Sequence, residues 1–201
     1  VVYLPLMKLR ILFIIFIFGL NSSISFHSQN CTWNGTTSSD WNNVLNWTTS
    51  ELGLVVGSRI PLATDSVIIV ATGNDPNIGA DAFANALTIN SGTLNIAASQ
   101  ILDIEGKFLM NGGSVVLNSN SVFAVNGDWD DQNGTFNSSK GKVQLTASVE
   151  QTISCGAGNQ FFNLEFINDD VSVTNKTALT DINIDKDLHV RNKTNFQIGA
   201  V

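Results

Sequence analysis

The sequence predicts an all-β protein folded as a parallel β-solenoid (a β-helix), a stack of coils with about 21 residues in each. One observation is a glycine-led segment that begins at Gly92, Gly113 and Gly134, at intervals of 21 residues. Another is a motif at 102–108 that returns 21 residues later at 123–129. Because two separate motifs share one period, we interpret that period as a structural repeat.

The strands of each coil are predicted from the spacing of apolar residues. Leu94 and Ile96 are separated by one residue, and so are Val115 and Leu117 one period later. This spacing is typical of β-strands, whose successive side chains point to opposite faces. A unit this short cannot bury its apolar face alone. Stacked coils, by contrast, pair each strand with its counterpart about 4.8 Å away and enclose a continuous core.

The same spacing continues after residue 143 with a less regular period, so we expect insertions at the corners of the coils. Residues 182–188 resemble the motif at 102–108, with Lys186 in the place of its glycine. We place the coils at 61–201 and expect the protein to continue beyond Val201, because the sequence contains no polar cap for the last coil. A β-sandwich, which also has many short strands joined by turns, is the alternative architecture.

Residues 1–28 predict a secretory signal peptide preceded by a few upstream residues. Lys8 and Arg10 form a basic segment, residues 11–20 are apolar, and small polar residues follow. The apolar run has about half of the roughly 20 residues that a membrane-spanning helix needs. We therefore expect a secreted protein, extracellular or at the cell surface, with no membrane span in the mature chain.

Charge narrows the choice of partners. The chain has 10 Lys and Arg residues against 17 Asp and Glu residues, which gives a net charge of −7. Proteins bind nucleic acids largely by neutralising phosphates with Lys and Arg, so this composition excludes a nucleic-acid partner. An extracellular polysaccharide or another surface protein is the partner that we expect.

The chain contains two cysteines, Cys31 and Cys155. In an oxidising compartment such a pair is able to form one long-range disulfide. Two buried free thiols in different parts of the fold are the alternative, and the sequence leaves both interpretations open.

Residues 29–60 form a tryptophan-rich segment in front of the coils, with Trp33, Trp41 and Trp47 close together. Indole rings stack on sugars, so these three residues are candidates for a carbohydrate-binding site. Alternatively, they close the open end of the solenoid, which otherwise exposes core and unpaired strand edges. Their position directly before the first coil favours a cap.

Several short motifs carry a resemblance to known proteins. They are Trp33-Asn34-Gly35, Asp40-Trp41-Asn42, Asn46-Trp47, Asp75-Pro76-Asn77-Ile78 and Gln151-Thr152-Ile153-Ser154. Together with the strand segments between them, they resemble the N-terminal region of large multi-repeat cell-surface proteins of Bacteroidetes. The resemblance implies a secreted or surface-anchored β-solenoid with adhesive or matrix roles, exported in full-length members by type IX secretion. It implies no catalytic motif.

The residues that catalysis needs are scarce. Triads and zinc sites depend on histidine, and the sequence has only His27 and His189. We therefore predict no catalytic residues and no enzyme. His189 and Asp187 are two positions apart on a predicted strand, so they are expected to share its outer face.

Two groups of acidic residues are candidate ligands for a metal ion. Asp128, Asp130 and Asp131 lie at a predicted corner and could hold Ca²⁺, although the segment lacks the glycine and the final glutamate of an EF-hand loop. A second group contains Asp181, Asp185 and Asp187. No other cofactor is indicated.

These observations together predict a secreted or surface-exposed structural or adhesion module built on a β-solenoid. A carbohydrate-binding module, or the non-catalytic N-terminal part of a polysaccharide-degrading enzyme, is the alternative function.

Overall fold

The computed structural model describes residues 28–71, 73–168, 172–191 and 193–199. Residues 1–27, which hold nearly all of the predicted signal peptide, lie outside the described residues. Within those ranges, no helix is long and apolar enough to cross a membrane.

The described residues form twenty strands and one 3-10 helix. The helix is Val44–Asn46, and the strands are β1 Asn30–Trp33, β2 Trp47–Glu51, β3 Leu54–Gly57, β4 Ser66–Ile69, β5 Asn77–Ile78, β6 Ala82–Ala84, β7 Ala86–Ile89, β8 Thr93–Ile96, β9 Ile101–Ile104, β10 Phe108–Met110, β11 Ser114–Leu117, β12 Val122–Val125, β13 Trp129–Asp130, β14 Thr135–Asn137, β15 Lys142–Leu145, β16 Gln151–Ser154, β17 Gln160–Phe166, β18 Thr174–Ala178, β19 Asn183–Val190 and β20 Thr194–Ile198.

The strands form three faces, and within each face successive coils stack in parallel. The first face contains β1, β4, β7, β10, β13, β16, β18 and β20 in that order. The second contains β5, β8, β11 and β14, and the third contains β6, β9, β12 and β15. The longer β17 pairs with β14 near one end and with β15 at the other, and β19 pairs along β17, so both run across the second and third faces. The predicted solenoid is thus confirmed, with about six turns.

The period of 21 residues is that of the stacked coils. On the first face Leu87 pairs with Phe108, and Phe108 pairs with Trp129 in the next coil. Gly113, one of the glycines of the repeat, lies where two successive corners approach each other closely. Gly113 has a φ of +73°, and a Cβ there would lie 2.4 Å from the carbonyl oxygen of Gly92. A side chain at this corner would therefore force two backbones apart.

Inward-pointing side chains of all three faces fill one continuous apolar core. At its centre, aromatic rings contact each other with centroids 4.6 to 5.5 Å apart. These rings are Phe108, Phe123, Trp129, Phe136 and Phe161. Burying such side chains contributes about 1.5–3 kcal/mol each relative to leaving them exposed.

The tryptophan-rich segment covers the N-terminal end of this core. β1 extends the first face beside β4, and the antiparallel strands β2 and β3 continue the sheet from β1. Trp33, Trp41 and Trp47 are at most 1% exposed, and the Trp47 ring packs edge-on against both of the others. Rings buried in this way have no face on which a sugar could stack. The structure therefore corrects the carbohydrate interpretation of these three residues, and their burial agrees with a cap.

An ion pair between the partly exposed Arg59 and the buried Asp65 ties this cap to the first coil. Both terminal nitrogens of Arg59 donate to the carboxylate of Asp65, at 2.5 and 2.7 Å. Asp65 is buried and also accepts hydrogen bonds from the backbone N–H groups of Gln29 and Leu62, at 3.0 and 2.8 Å. Burial raises the pKa of Asp65, but the hydrogen bonds from Arg59, Leu62 and Gln29 and the charge of Arg59 outweigh it, so the pKa lies below its usual value.

The two cysteines do not form a disulfide. Cys31 lies on β1 and Cys155 directly follows β16, and both are buried free thiols. Five strand spacings separate β1 from β16 on the first face. At about 4.8 Å for each spacing, the two residues are much farther apart than the roughly 7 Å that a disulfide spans between Cα atoms. Of the two interpretations of the cysteines, the free thiols are confirmed.

Candidate functional site

The three aspartates predicted as a Ca²⁺ site serve three separate contacts. Asp128 accepts a hydrogen bond from the backbone N–H of Thr152 at 2.7 Å. Asp130 lies 3.9 Å from the Nζ of Lys107. Asp131 is fully buried and accepts from a backbone N–H of the next coil. Asp130 ends β13 and is partly exposed, whereas Asp131 follows it directly and is buried, so the two side chains point to opposite sides of the sheet.

This arrangement corrects the predicted metal site. Among the described residues, no group of three or more His, Cys, Asp or Glu side chains could hold a metal ion. The carboxylates of Asp128, Asp130 and Asp131 do not converge, and so they offer no shared position to Ca²⁺. The three aspartates of the second acidic group do not lie together either. Asp181 lines a cavity at the C-terminal end of the solenoid, while Asp185 and Asp187 lie in two different depressions described below.

A β-bulge separates those two depressions. Phe161 of β17 pairs with Ile184 of β19, yet the next paired residues are Asn163 and Asp187. Two residues of β19, Asp185 and Lys186, therefore lie opposite the single residue Phe162. Bulges redirect side chains and are frequent beside binding sites. Here the bulge lies where the chain passes from the second face to the third.

On one side of the bulge is a cleft of about 380 Å³, which we call the corner cleft. Hydroxyl and amide groups, one carboxylate and the partly exposed ring of Phe162 line it. The residues that define it are Thr135, Asn137, Ser139, Gln160, Phe162 and Asp185. An apolar ring among hydroxyl and amide groups suits a ligand that has both apolar and hydroxyl-bearing surfaces.

Short-range hydrogen bonds hold this corner in place. The side chain of Asn137 accepts from the backbone N–H of Ser139 at 3.0 Å, and Ser139 itself has a φ of +41°. The buried hydroxyl of Ser138 donates to the carbonyl of Gln160 at 2.9 Å and accepts a short hydrogen bond from the backbone N–H of Phe162. The turn of one coil thus fixes the strand of the next, including the residue that carries the exposed ring.

On the other side of the bulge is a smaller depression of about 180 Å³, which we call the charged groove. Its charged and titratable residues are Lys142, Glu165, Lys186, Asp187, His189 and Arg191. His189 and Asp187 share this groove, as their spacing in the sequence predicts. The two depressions are linked through Lys186, whose Nζ lies 5.4 Å from the centroid of the Phe162 ring, within cation–π range.

Glu165 is the buried centre of the charged groove, with a side chain only 2% exposed. It accepts hydrogen bonds from Lys142 at 3.1 Å and Gln144 at 2.8 Å, and a short one from the Nε of Arg191. Burial raises the pKa of Glu165. The hydrogen bonds from Gln144, Lys142 and Arg191, together with the charge of Lys142, lower it by more than burial raises it. Its pKa therefore lies below the usual value, and the carboxylate is ionised at neutral pH.

Sequence reasoning missed most of this site. It proposed Asp185 and Asp187 as parts of one acidic group and assigned no binding role to Gln160 or Phe162. The usable signal was the long segment 160–166, in which two strands of the earlier coils are joined into one. Nothing local in the sequence marks the bulge, which exists only in the pairing of β17 with β19.

No family model, curated protein or solved structure matches this chain.

Proposed function

We propose that this protein is a secreted or surface-exposed adhesion module without enzymatic activity, and that it binds extracellular polysaccharide at the corner cleft. The observation that carries the proposal is the partly exposed ring of Phe162, held among hydroxyl and amide groups. Sugars present an apolar face together with a rim of hydroxyl groups. Their recognition therefore needs an aromatic surface beside hydrogen-bonding side chains.

The scaffold supports binding because hydrogen bonds within the protein preform the cleft. Phe162 and Gln160 lie on β17, and Ser138 of the neighbouring coil bonds to the backbone of both. A preformed site loses less conformational entropy when it binds than a mobile loop does. The volume of the cleft, about 380 Å³, lies within the range of roughly 300–1,000 Å³ that is usual for ligand sites.

The side chains of the cleft favour binding over hydrolysis. Glycosidases in general use two carboxyl groups, one on each side of the bond that breaks. The described residues that line the corner cleft include a single carboxyl group, that of Asp185. This supports a module that holds a glycan at a surface, which is the role that we expect of an adhesion protein.

Affinity electrophoresis through gels that contain individual plant, algal or bacterial polysaccharides tests the proposal. We expect at least one polysaccharide to retard the protein, and we expect Phe162→Ala and Gln160→Ala to reduce that retardation. Phe83→Ala is the matched control, because Phe83 is 48% exposed but lies on β6, remote in sequence from the cleft. Circular dichroism confirms that each variant is folded. A panel without any retardation, or a Phe162→Ala variant that binds like the parent, would contradict the proposal.

A further inference from the structure

We propose that the charged groove binds an anionic group of the glycan, so that the preferred ligand is an acidic polysaccharide. This inference rests on the proposed function, because it assigns a ligand class to a surface continuous with the corner cleft. A carboxylate and a sulfate ester would satisfy the same chemistry.

The first support is where the positive charges lie. The chain has a net charge of −7 and only 10 Lys and Arg residues, yet three of these, Lys142, Lys186 and Arg191, line one depression of about 180 Å³. The side chains of Lys186 and Arg191 are 57% and 60% exposed, so both reach solvent. In a chain with so few cations, such a concentration at one place is not explained by general solubility.

The second support is the burial of the opposing charge. Glu165 is almost inaccessible, while its two cationic partners, Lys142 and Arg191, have exposed side chains. A ligand in the groove would therefore meet the cations and not the carboxylate beneath them. Asp187 is the other acid of the groove, and it lies 3.5 Å from the Nζ of Lys186. That pair is exposed on both sides and so contributes little energy, which leaves Lys186 able to change partner.

The third support is the orientation of Arg191. Its Nε donates to Glu165, and its backbone N–H donates to the carbonyl of Phe166 at 3.0 Å. Arginine binds carboxylates and sulfates best with its planar fork of N–H groups. A guanidinium fixed through Nε loses less rotamer freedom when its terminal nitrogens take up a ligand. Glu165 therefore acts as a positioning residue for Arg191.

The two depressions lie in line along β17. Phe162 borders the corner cleft, and Phe166, which bonds to Arg191, lies four residues farther along the same strand. At about 3.3 Å for each residue, this distance is roughly 13 Å. Lys186 lies opposite Phe162 in the bulge, with its Nζ over that ring. A short oligosaccharide that stacks on Phe162 would thus place an anionic group of a neighbouring unit within reach of Lys186 and Arg191.

Isothermal titration calorimetry on the purified chain tests this inference. The probes are an oligogalacturonate, a neutral malto-oligosaccharide of the same length and a sulfated oligosaccharide, at several salt concentrations. The variants are Arg191→Gln and Lys186→Met. The control is Lys107→Met, an exposed lysine whose ion pair with Asp130 lies on the first face.

We expect the anionic probes to bind more tightly than the neutral one, and Arg191→Gln to weaken anionic binding about tenfold, the loss of one charge-assisted hydrogen bond. Lys107→Met should have no effect. Binding of the sulfated probe alone would also support the inference and would identify sulfate as the anion. Equal affinity for neutral and acidic probes, unaffected by Arg191→Gln, would overturn the inference but leave the proposed function standing. Binding of none of the probes, in a protein that also fails the polysaccharide panel, would overturn both.

Discussion

Lys176 lies inside the solenoid, where its Nζ donates a hydrogen bond of 2.8 Å to the side-chain oxygen of Gln151. The two residues are direct partners on β18 and β16, and both are almost fully buried. The ammonium also donates to the carbonyl of Ala147 at 2.7 Å, so its described partners are neutral oxygens. A fully buried lysine is unusual, and here its partner in the preceding coil is the polar side chain of Gln151.

The first prediction concerns how the contribution of Lys176 to the free energy of unfolding changes with pH. Burial lowers the pKa of Lys176 from the ordinary value of 10.5 to about 8. Between these two pH values the unfolded chain holds a proton that the folded chain has released. The contribution of Lys176 to the free energy of unfolding should therefore rise as the pH increases from 8 to 10.5. The raised pKa values of Cys31 and Cys155 act in the opposite direction above about pH 9, so the contribution of Lys176 is the difference between the parent and a variant without this lysine. The total contribution is on the order of 3 kcal/mol, since the two pKa values differ by about 2.5 and a difference of one corresponds to about 1.4 kcal/mol.

Urea denaturation of the parent and of Lys176→Met at several pH values between 7 and 10.5 measures this rise. The comparison uses the slope against pH and not the absolute stability, because the substitution also leaves Gln151 and Ala147 without their donor. We expect the free energy of unfolding of the parent minus that of the variant to increase with pH across this range, because both proteins share the titration of Cys31 and Cys155. Parallel pH profiles for the two proteins would show that Lys176 does not titrate in this range.

The second prediction concerns the close approach of successive coils at Gly127. A Cβ at this position would lie 2.4 Å from the carbonyl carbon of Gly106, which is backbone of the preceding coil. We expect Gly127→Ala to lower the free energy of unfolding by roughly 1–3 kcal/mol, because the stacked backbones must separate. Gly73→Ala is the control, since a Cβ at Gly73 would meet nothing within 4 Å. Thermal or urea unfolding measures both variants, and equal stabilities would contradict the stacking geometry.

The third prediction concerns the two thiols. Burial, followed by the charge of Asp65, raises the pKa of Cys31 to about 12, and burial raises that of Cys155 well above its usual value. Because thiolates are the reactive species, we expect neither cysteine to react with Ellman's reagent until the protein unfolds, after which both should react. The melting temperature should not change on addition of a reductant. Rapid reaction of the folded protein, or a fall in melting temperature on reduction, would contradict this prediction.

The fold was predictable because its signals are local and repeated. Gly92, Gly113 and Gly134 recur where a side chain has no room, because a Cβ at Gly113 would meet the backbone of the preceding corner and one at Gly134 would meet the buried side chain of Met110. Where the period lengthens, sequence comparison misaligned the strands. It matched residues 182–188 with the motif at 102–108. In the structure, however, Leu188 and not Ile182 continues the column of Leu102, through Phe123, Val143 and Leu164.

The sequence alone determined the period, the strand class and the poverty of cations, because each follows from which residue types occur and how far apart they lie. The tertiary structure decided which side chains are exposed and which ones meet. It buried the tryptophans, kept Cys31 and Cys155 apart, and brought Phe162 beside Asp185 and Lys186. These outcomes depend on the register between strands more than twenty residues apart. The bulge takes up the extra residue of β19, so that Leu188 still pairs with Leu164.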